Sequence, residues 1–279
     1  MLKKYKCFLF LIFFLSIFSF ANTYSAISDP LCSQINCSEA SRTWESARVY
    51  TPSEVSVKRL TMPGLKKQME STPEKLYPLA IYLHGCAGLW AGSERRGRLL
   101  AELGFIVIAP DSFARKNKPI SCLPYQYRGG LHRGTLALRQ EEAMYAISAG
   151  AKLPWVDPKR IILIGLSEGG ITTATLIKPP FLSIKARVIE GWGCNSSWEE
   201  YAGLNSQINE PVISFVGNMD PWFRHPSLQG DCGEFMKDAD SISVVYTKPP
   251  LSKTHTPLDY KLPKLELKEF LCKHVWCEN

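Results

Sequence analysis

The chain has 279 residues, 45% hydrophobic, 21% charged and 11% aromatic. This is an ordinary globular composition, with material for one sizeable core and no repeats or low-complexity tracts. The formal net charge of +7 is spread over short pairs such as Lys58-Arg59, Lys66-Lys67 and Arg95-Arg96 that read as solvated surface, which argues against a nucleic-acid partner.

The N-terminal stretch MLKKYKCFLFLIFFLSIFSFANTYSA combines a Lys-rich start, an apolar run from Cys7 to Phe20 and a small-x-small site ending at Ala21. It reads as a secretory signal over residues 1–21. The run is shorter than the roughly 20 residues of a spanning helix, so no stable membrane insertion is expected after cleavage. Loss of Lys3, Lys4 and Lys6 would lower the charge from +7 to +4. Eight cysteines would remain: Cys32, Cys37, Cys86, Cys122, Cys194, Cys232, Cys272 and Cys277. An even number in an exported chain predicts disulfides, with the periplasm the favoured compartment and the extracellular space second. Cys32–Cys37 and Cys272–Cys277 are the simplest local pairs; connectivity among the other four is open. No Cys/His cluster has metal-ligand spacing, so no metal is expected.

Residues 22 to about 75 are polar, with one strand expected near Val55–Leu60. Apolar strands are then expected at Leu79–Leu83, Phe105–Ala109, Ile161–Ile164, Val188–Ile189, Val212–Val216 and Ile242–Tyr246. Between them, helices are expected at Glu94–Leu103, Gly134–Lys152, after Ser167, around Trp198–Leu204, at Cys232–Asp240 and at Leu265–Val275. Such alternation, with strands rich in Ile and Val, predicts an α/β fold: a mostly parallel central sheet with helices on both faces.

In RIILIGLSEGGIT, four apolar residues, Ile161–Ile164, run into Gly-x-Ser-x-Gly and a helical stretch that stops at Pro179-Pro180. A strand breaking sharply into a helix would hold Ser167 up on a strained turn as a nucleophile. Serine is a poor nucleophile unless a histidine takes its proton and an acid fixes that histidine's tautomer. Both belong at the C-terminal ends of later strands. Asp220 follows the strand Val212–Val216, and His255 lies in the loop after Ile242–Tyr246. The chain order Ser167, Asp220, His255 is that of α/β-hydrolases.

Glu190, which also ends a strand, is the rival acid. Among the other histidines, His84 suggests a loop-shaping role, His225 is too near Asp220, His132 precedes a helix and His274 lies in the last one. Asp111 is expected to organise its loop. Two backbone N–H donors are needed for the oxyanion. Those of Glu168 and of Cys86, in LHGCAGLW, are the candidates, with Ala87 second to Cys86. Trp90, Trp192, Trp198 and Trp222 flank strand ends, where they would either line a pocket or merely pack.

Together IYLHGCAGL, GFIVIAPDSFAR, LIGLSEGG, SFVGNMDPW and SKTH resemble the dienelactone hydrolase family of α/β-hydrolases, over about residues 75 to 275. With no linker-like stretch to interrupt the alternation, one globular unit is expected from residue 22, and the resemblance implies an α/β-hydrolase domain over 75–279, preceded by an extension with the first strands over 22–74. It implies hydrolysis of an ester or lactone without a cofactor, acting on a small molecule. One departure is that Ser167 stands where the founding dienelactone hydrolases have a cysteine. Together with the export signal and the cysteines, this points to another substrate. Two other readings are a peptidase or acyltransferase on the same fold and, in a different class, a non-catalytic exported binding protein. Oligomeric state is not readable.

Overall fold

The computed structural model describes residues 30–52, 57–70 and 75–276. The signal segment and Cys277 lie outside the described residues, and so does the expected Cys272–Cys277 pair. Eight strands form one sheet: β1 (Arg48–Thr51), β2 (Lys58–Leu60), β3 (Tyr77–Leu83), β4 (Ile106–Ala109), β5 (Val156–Leu166), β6 (Ala186–Glu190), β7 (Val212–Gly217) and β8 (Ile242–Tyr246). Their spatial order is β2-β1-β4-β3-β5-β6-β7-β8. β1 runs antiparallel to both β2 and β4, and all other pairs are parallel.

Side-chain alternation splits each central strand between two cores. Leu79, Ile81, Leu83, Ile106, Ile108, Ile161 and Leu163 pack on one face, against Trp44 of α1 (Cys37–Glu45), Leu65 of α2 (Met62–Met69) and Ile147 of α4 (Thr135–Ala151). Ala80, Tyr82, Val107, Ile162 and Ile164 pack on the other, against Leu100 of α3 (Ala91–Glu102) and Leu267 of α6 (Lys261–Leu271). Because both faces are covered, every residue from Ile161 to Ile164 is buried. This is why the run carries no polar alternation.

Two of the expected helices do not form. Around Trp198–Leu204 there is only the single turn Glu199–Tyr201, and in Cys232–Asp240 only Gly233–Phe235. Local hydrogen bonds outcompete the helix in both places. Asp231 Oδ1 accepts from the Gly233 N–H and Asp238 Oδ1 from the Asp240 N–H. Upstream, Ser196 Oγ accepts from the Trp198 N–H, and Gly203, at φ +83°, donates to the Cys194 carbonyl. Near Val55–Leu60 the strand is observed as Lys58–Leu60, residues 53–56 lying outside the described residues.

From β3 the chain moves outward to β4, then crosses back to β5 on the other side of β3. The loops leaving β3 and β5 therefore diverge, and a crevice opens at the C-terminal edge of the sheet.

Candidate active site

β5 ends at Leu166, and helix α5 (Glu168–Thr175) begins two residues later. Ser167 between them adopts φ 57° and ψ −118°, a conformation that costs about 1–3 kcal/mol for a residue with a side chain. The turn is held from both sides. The Ser167 N–H donates to the Glu190 carbonyl of β6 at 2.8 Å, and its carbonyl accepts the Ile171 N–H at 2.8 Å. The flanking glycines answer to close approach: a Cβ on Gly165 would collide with the Gly169 carbonyl, and one on Gly169 with that of Leu83. The spacing of the motif is thus the spacing at which helix α5 can start directly over β3 and β5.

Asp220 sits in the turn after β7, with its side chain fully buried. Its Oδ1 accepts the Trp222 N–H at 3.0 Å, and its Oδ2 lies 2.6 Å from Nδ1 of His255. Contact between their loops brings the two together: the Met219 N–H donates to the Ser252 carbonyl at 2.7 Å. The His255 ring stacks on Trp222 at 5.0 Å between centroids and meets Phe223 edge-on at 5.6 Å. Its Nε2 is buried and has no hydrogen-bond partner among the described residues, Ser167 Oγ included. Ser167 and His255 line one cavity of about 300 Å³. Contacts between such groups commonly tighten only when substrate is bound.

Cys86 and Glu168 line the same cavity, whereas Ala87 does not. The Glu168 N–H is the first of α5, where no intrahelical carbonyl can reach it. A Cβ on Gly85 would lie 3.4 Å from that of Ser167, so the turn after β3 lies directly against the serine. Beneath this turn is a buried polar scaffold. His84 accepts the Ser112 N–H at Nε2 (3.2 Å), which leaves the Nδ1 proton for the Gly85 carbonyl at 2.7 Å. Arg139 donates to the His84 carbonyl at 2.7 Å and to Ser112 Oγ, and Glu142 binds both Ser112 and Arg115. Burial, then the Arg139 charge, holds the His84 imidazole well below the ordinary histidine range. His84 is thus the loop-shaping residue the sequence suggested. Asp111 likewise organises its loop, accepting the Phe113 N–H at 3.0 Å.

Glu190, the rival acid, is committed elsewhere. Both its carboxylate oxygens take guanidinium nitrogens of buried Arg96, at 2.5 and 2.8 Å, and Oε1 also takes the Leu258 N–H. Arg96 reaches Asp259 as well, at 2.5 Å. Burial alone would raise the Asp259 carboxyl, but the hydrogen bond from Arg95 and the Arg96 charge outweigh it and hold the group at about 2. Of the remaining histidines, His132 and His225 line the cavity, with His225 Nδ1 engaged to Ser227 at 2.8 Å. His274 lies against Phe270.

Three of the four tryptophans, Trp192, Trp198 and Trp222, line the cavity, and Trp90 does not. The sequence reading missed the roof segment that contributes Ser121, Gly129 and Gly130, and with it the Cys86–Cys122 disulfide that ties this roof to the β3 turn. A second missed bridge, Cys194–Cys232, braces the loop after β6; Cys32–Cys37 forms as expected. Only the even cysteine count hinted at the first two. No helix among the described residues is long and apolar enough to cross a membrane.

The profile of the dienelactone hydrolase family matches residues 69–244. The chain belongs to this family. Its members' fold recurs in solved structures. A Klebsiella pneumoniae protein assigned as a dienelactone hydrolase superposes with a TM-score of 0.54 at 18% identity, covering 73% of this chain and 90% of that one. Dipeptidyl peptidase 4 from Porphyromonas gingivalis superposes with a TM-score of 0.51 at 16% identity, over 82% of this chain but 33% of the peptidase. At these identities the likeness is one of fold. Among curated proteins, no sequence matches the chain significantly. This chain carries Ser167 at the strand-to-helix turn after β5, and Cys86 of the Cys86–Cys122 disulfide lines the cavity.

Proposed function

We propose that this dienelactone hydrolase family member is an exported serine hydrolase that cleaves a carboxylic ester or lactone through an acyl-enzyme on Ser167. One observation carries the reading. A serine held at positive φ faces the same cavity as an imidazole whose Nδ1 is fixed by a buried carboxylate and whose Nε2 has no partner.

His255 Nε2 takes the Ser167 proton as Oγ attacks the substrate carbonyl, and Asp220 stabilises the imidazolium that forms. The carbonyl oxygen becomes an oxyanion, received by the backbone N–H groups of Cys86 and Glu168; each such donor lowers the barrier by about 2.7–4 kcal/mol. The tetrahedral intermediate collapses as His255 returns the proton to the leaving alkoxide. Water, deprotonated by the same imidazole, then releases the acyl group as a carboxylic acid and restores Ser167. Support for export comes from the three disulfides among the described residues, which suit an oxidising compartment. The periplasm is the favoured location.

The test is hydrolysis of 4-nitrophenyl butyrate by the mature protein and by Ser167→Ala. Turnover should fall by about 10⁴-fold or more in the variant with its circular dichroism unchanged. Full activity in Ser167→Ala would end the assignment.

A further inference from the structure

The cavity wall identifies the kind of ester it takes. Trp192, Trp198, Trp222, Phe223, Ile171 and Leu228 form its apolar wall, and no Lys or Arg among the described residues lines it. The neighbouring arginines have partners of their own. Arg133 is paired with Glu200 and lies over the Trp198 ring, Arg224 lies over the Tyr127 ring, and buried Arg139 donates to the His84 carbonyl and Ser112 and lies 4.0 Å from the Glu168 carboxylate. Among the described residues, Glu168 is the acidic side chain of the lining, and Asp220 is buried just behind His255.

A substrate carboxylate entering here would leave water with no described Lys or Arg in the wall to receive it, and would meet the carboxylate of Glu168. An apolar acyl group would instead exchange water for aromatic and aliphatic wall. The volume of about 300 Å³ lies at the low end of small-molecule sites, which span about 300–1,000 Å³. It suits a compact acyl chain or ring rather than a peptide or a long lipid. Resting on the serine esterase reading, we propose that the enzyme selects uncharged esters or lactones with a small apolar or aromatic acyl group and rejects those whose acyl group carries a carboxylate.

Two esters with one leaving group and nearly equal acyl length separate the alternatives: 4-nitrophenyl valerate and mono-4-nitrophenyl glutarate. The valerate should be preferred in kcat/KM by about 100-fold or more, the scale on which an unpaired charge is excluded from an apolar site. Ser197, exposed on the cavity wall, offers a site for a counter-charge. Ser197→Arg should narrow the preference about 10-fold, mainly by raising kcat/KM for the glutarate. Equal use of the two esters, or preference for the glutarate, would overturn the proposal while leaving the esterase reading intact, provided a fluorophosphonate labels Ser167. Turnover of neither ester with no adduct on Ser167 would overturn both.

Discussion

β6 and β7 are neighbours in the sheet, and each leads into a buried carboxylate: Glu190 is the last residue of β6, and Asp220 lies three residues past β7. By burial and strand position the two are nearly equivalent, yet their partners differ. Glu190 meets the fork of Arg96, a permanent cation, and a backbone N–H. Its charge is fully compensated, and it serves to lock α3 and the segment before α6 onto the sheet. Asp220 meets the imidazole of His255, whose other nitrogen has no hydrogen-bond partner among the described residues. On the proposed mechanism Glu190 is structural because its partner is the fixed guanidinium fork of Arg96, and Asp220 is functional because its partner is the proposed general base.

Substitution should separate these roles. Asp220→Asn should lower kcat by about 10⁴-fold, because the imidazole loses its tautomeric and electrostatic support, while the denaturation midpoint moves little. Glu190→Gln should do the reverse, destabilising the fold by about 3 kcal/mol, because buried Arg96 loses its buried counter-charge and keeps only the more exposed Asp259. Its turnover per titratable active site should stay within a few-fold of the wild type. Chemical denaturation together with active-site titration reads both quantities, and loss of turnover per site in Glu190→Gln would erase the distinction.

The bridges around the site sharpen the comparison. Cys86–Cys122 closes a segment of 36 residues, Cys32–Cys37 one of 5. Chain-entropy scaling assigns about 4 kcal/mol to the first and about 2 kcal/mol to the second. Paired serine substitutions at Cys86 and Cys122 should also lower kcat, since they free the roof from the turn that carries the proposed oxyanion donor. Substitution of Cys32 and Cys37 should affect stability alone.

The smallest effect concerns pH. His84 binds a proton less readily when folded than its ordinary value of 6.5, chiefly through burial. The unfolded chain therefore holds more protons below about pH 6.5, and stability falls as pH drops through that region, by at most about 1.4 kcal/mol per unit from this residue. Denaturation midpoints at pH 7, 6 and 5 should show the slope in the wild type and a flatter one in His84→Gln. Asp259, held at about 2 when folded, acts in a separate window. Its contribution is complete above its ordinary value of 3.8 and is lost as pH falls towards 2.

Much of this was legible in the sequence because the central strands are buried on both faces. Runs such as Ile161–Ile164 cannot be confused with polar loops, and the glycines around Ser167 follow from backbone contact with β3. Asp220 and His255 could be placed because each follows a readable strand. β1 was not legible: Arg48–Thr51 is four residues long and joins the sheet through β4, whose residues are distant in sequence. The false helices at Trp198–Leu204 and Cys232–Asp240 have helical composition, but short Asp and Ser side chains capture the backbone first. The missed disulfides join cysteines 36 and 38 residues apart, a pairing set by the fold rather than by local spacing.

The most direct test is to treat the purified mature protein with a fluorophosphonate and map the adduct by peptide mass spectrometry, beside Asp220→Asn, His255→Ala and Glu190→Gln. The account predicts an adduct on Ser167 in the wild type and in folded Glu190→Gln, and its loss or severe slowing in Asp220→Asn and His255→Ala. A folded wild type that forms no adduct, or an adduct that forms equally fast without His255, would contradict it.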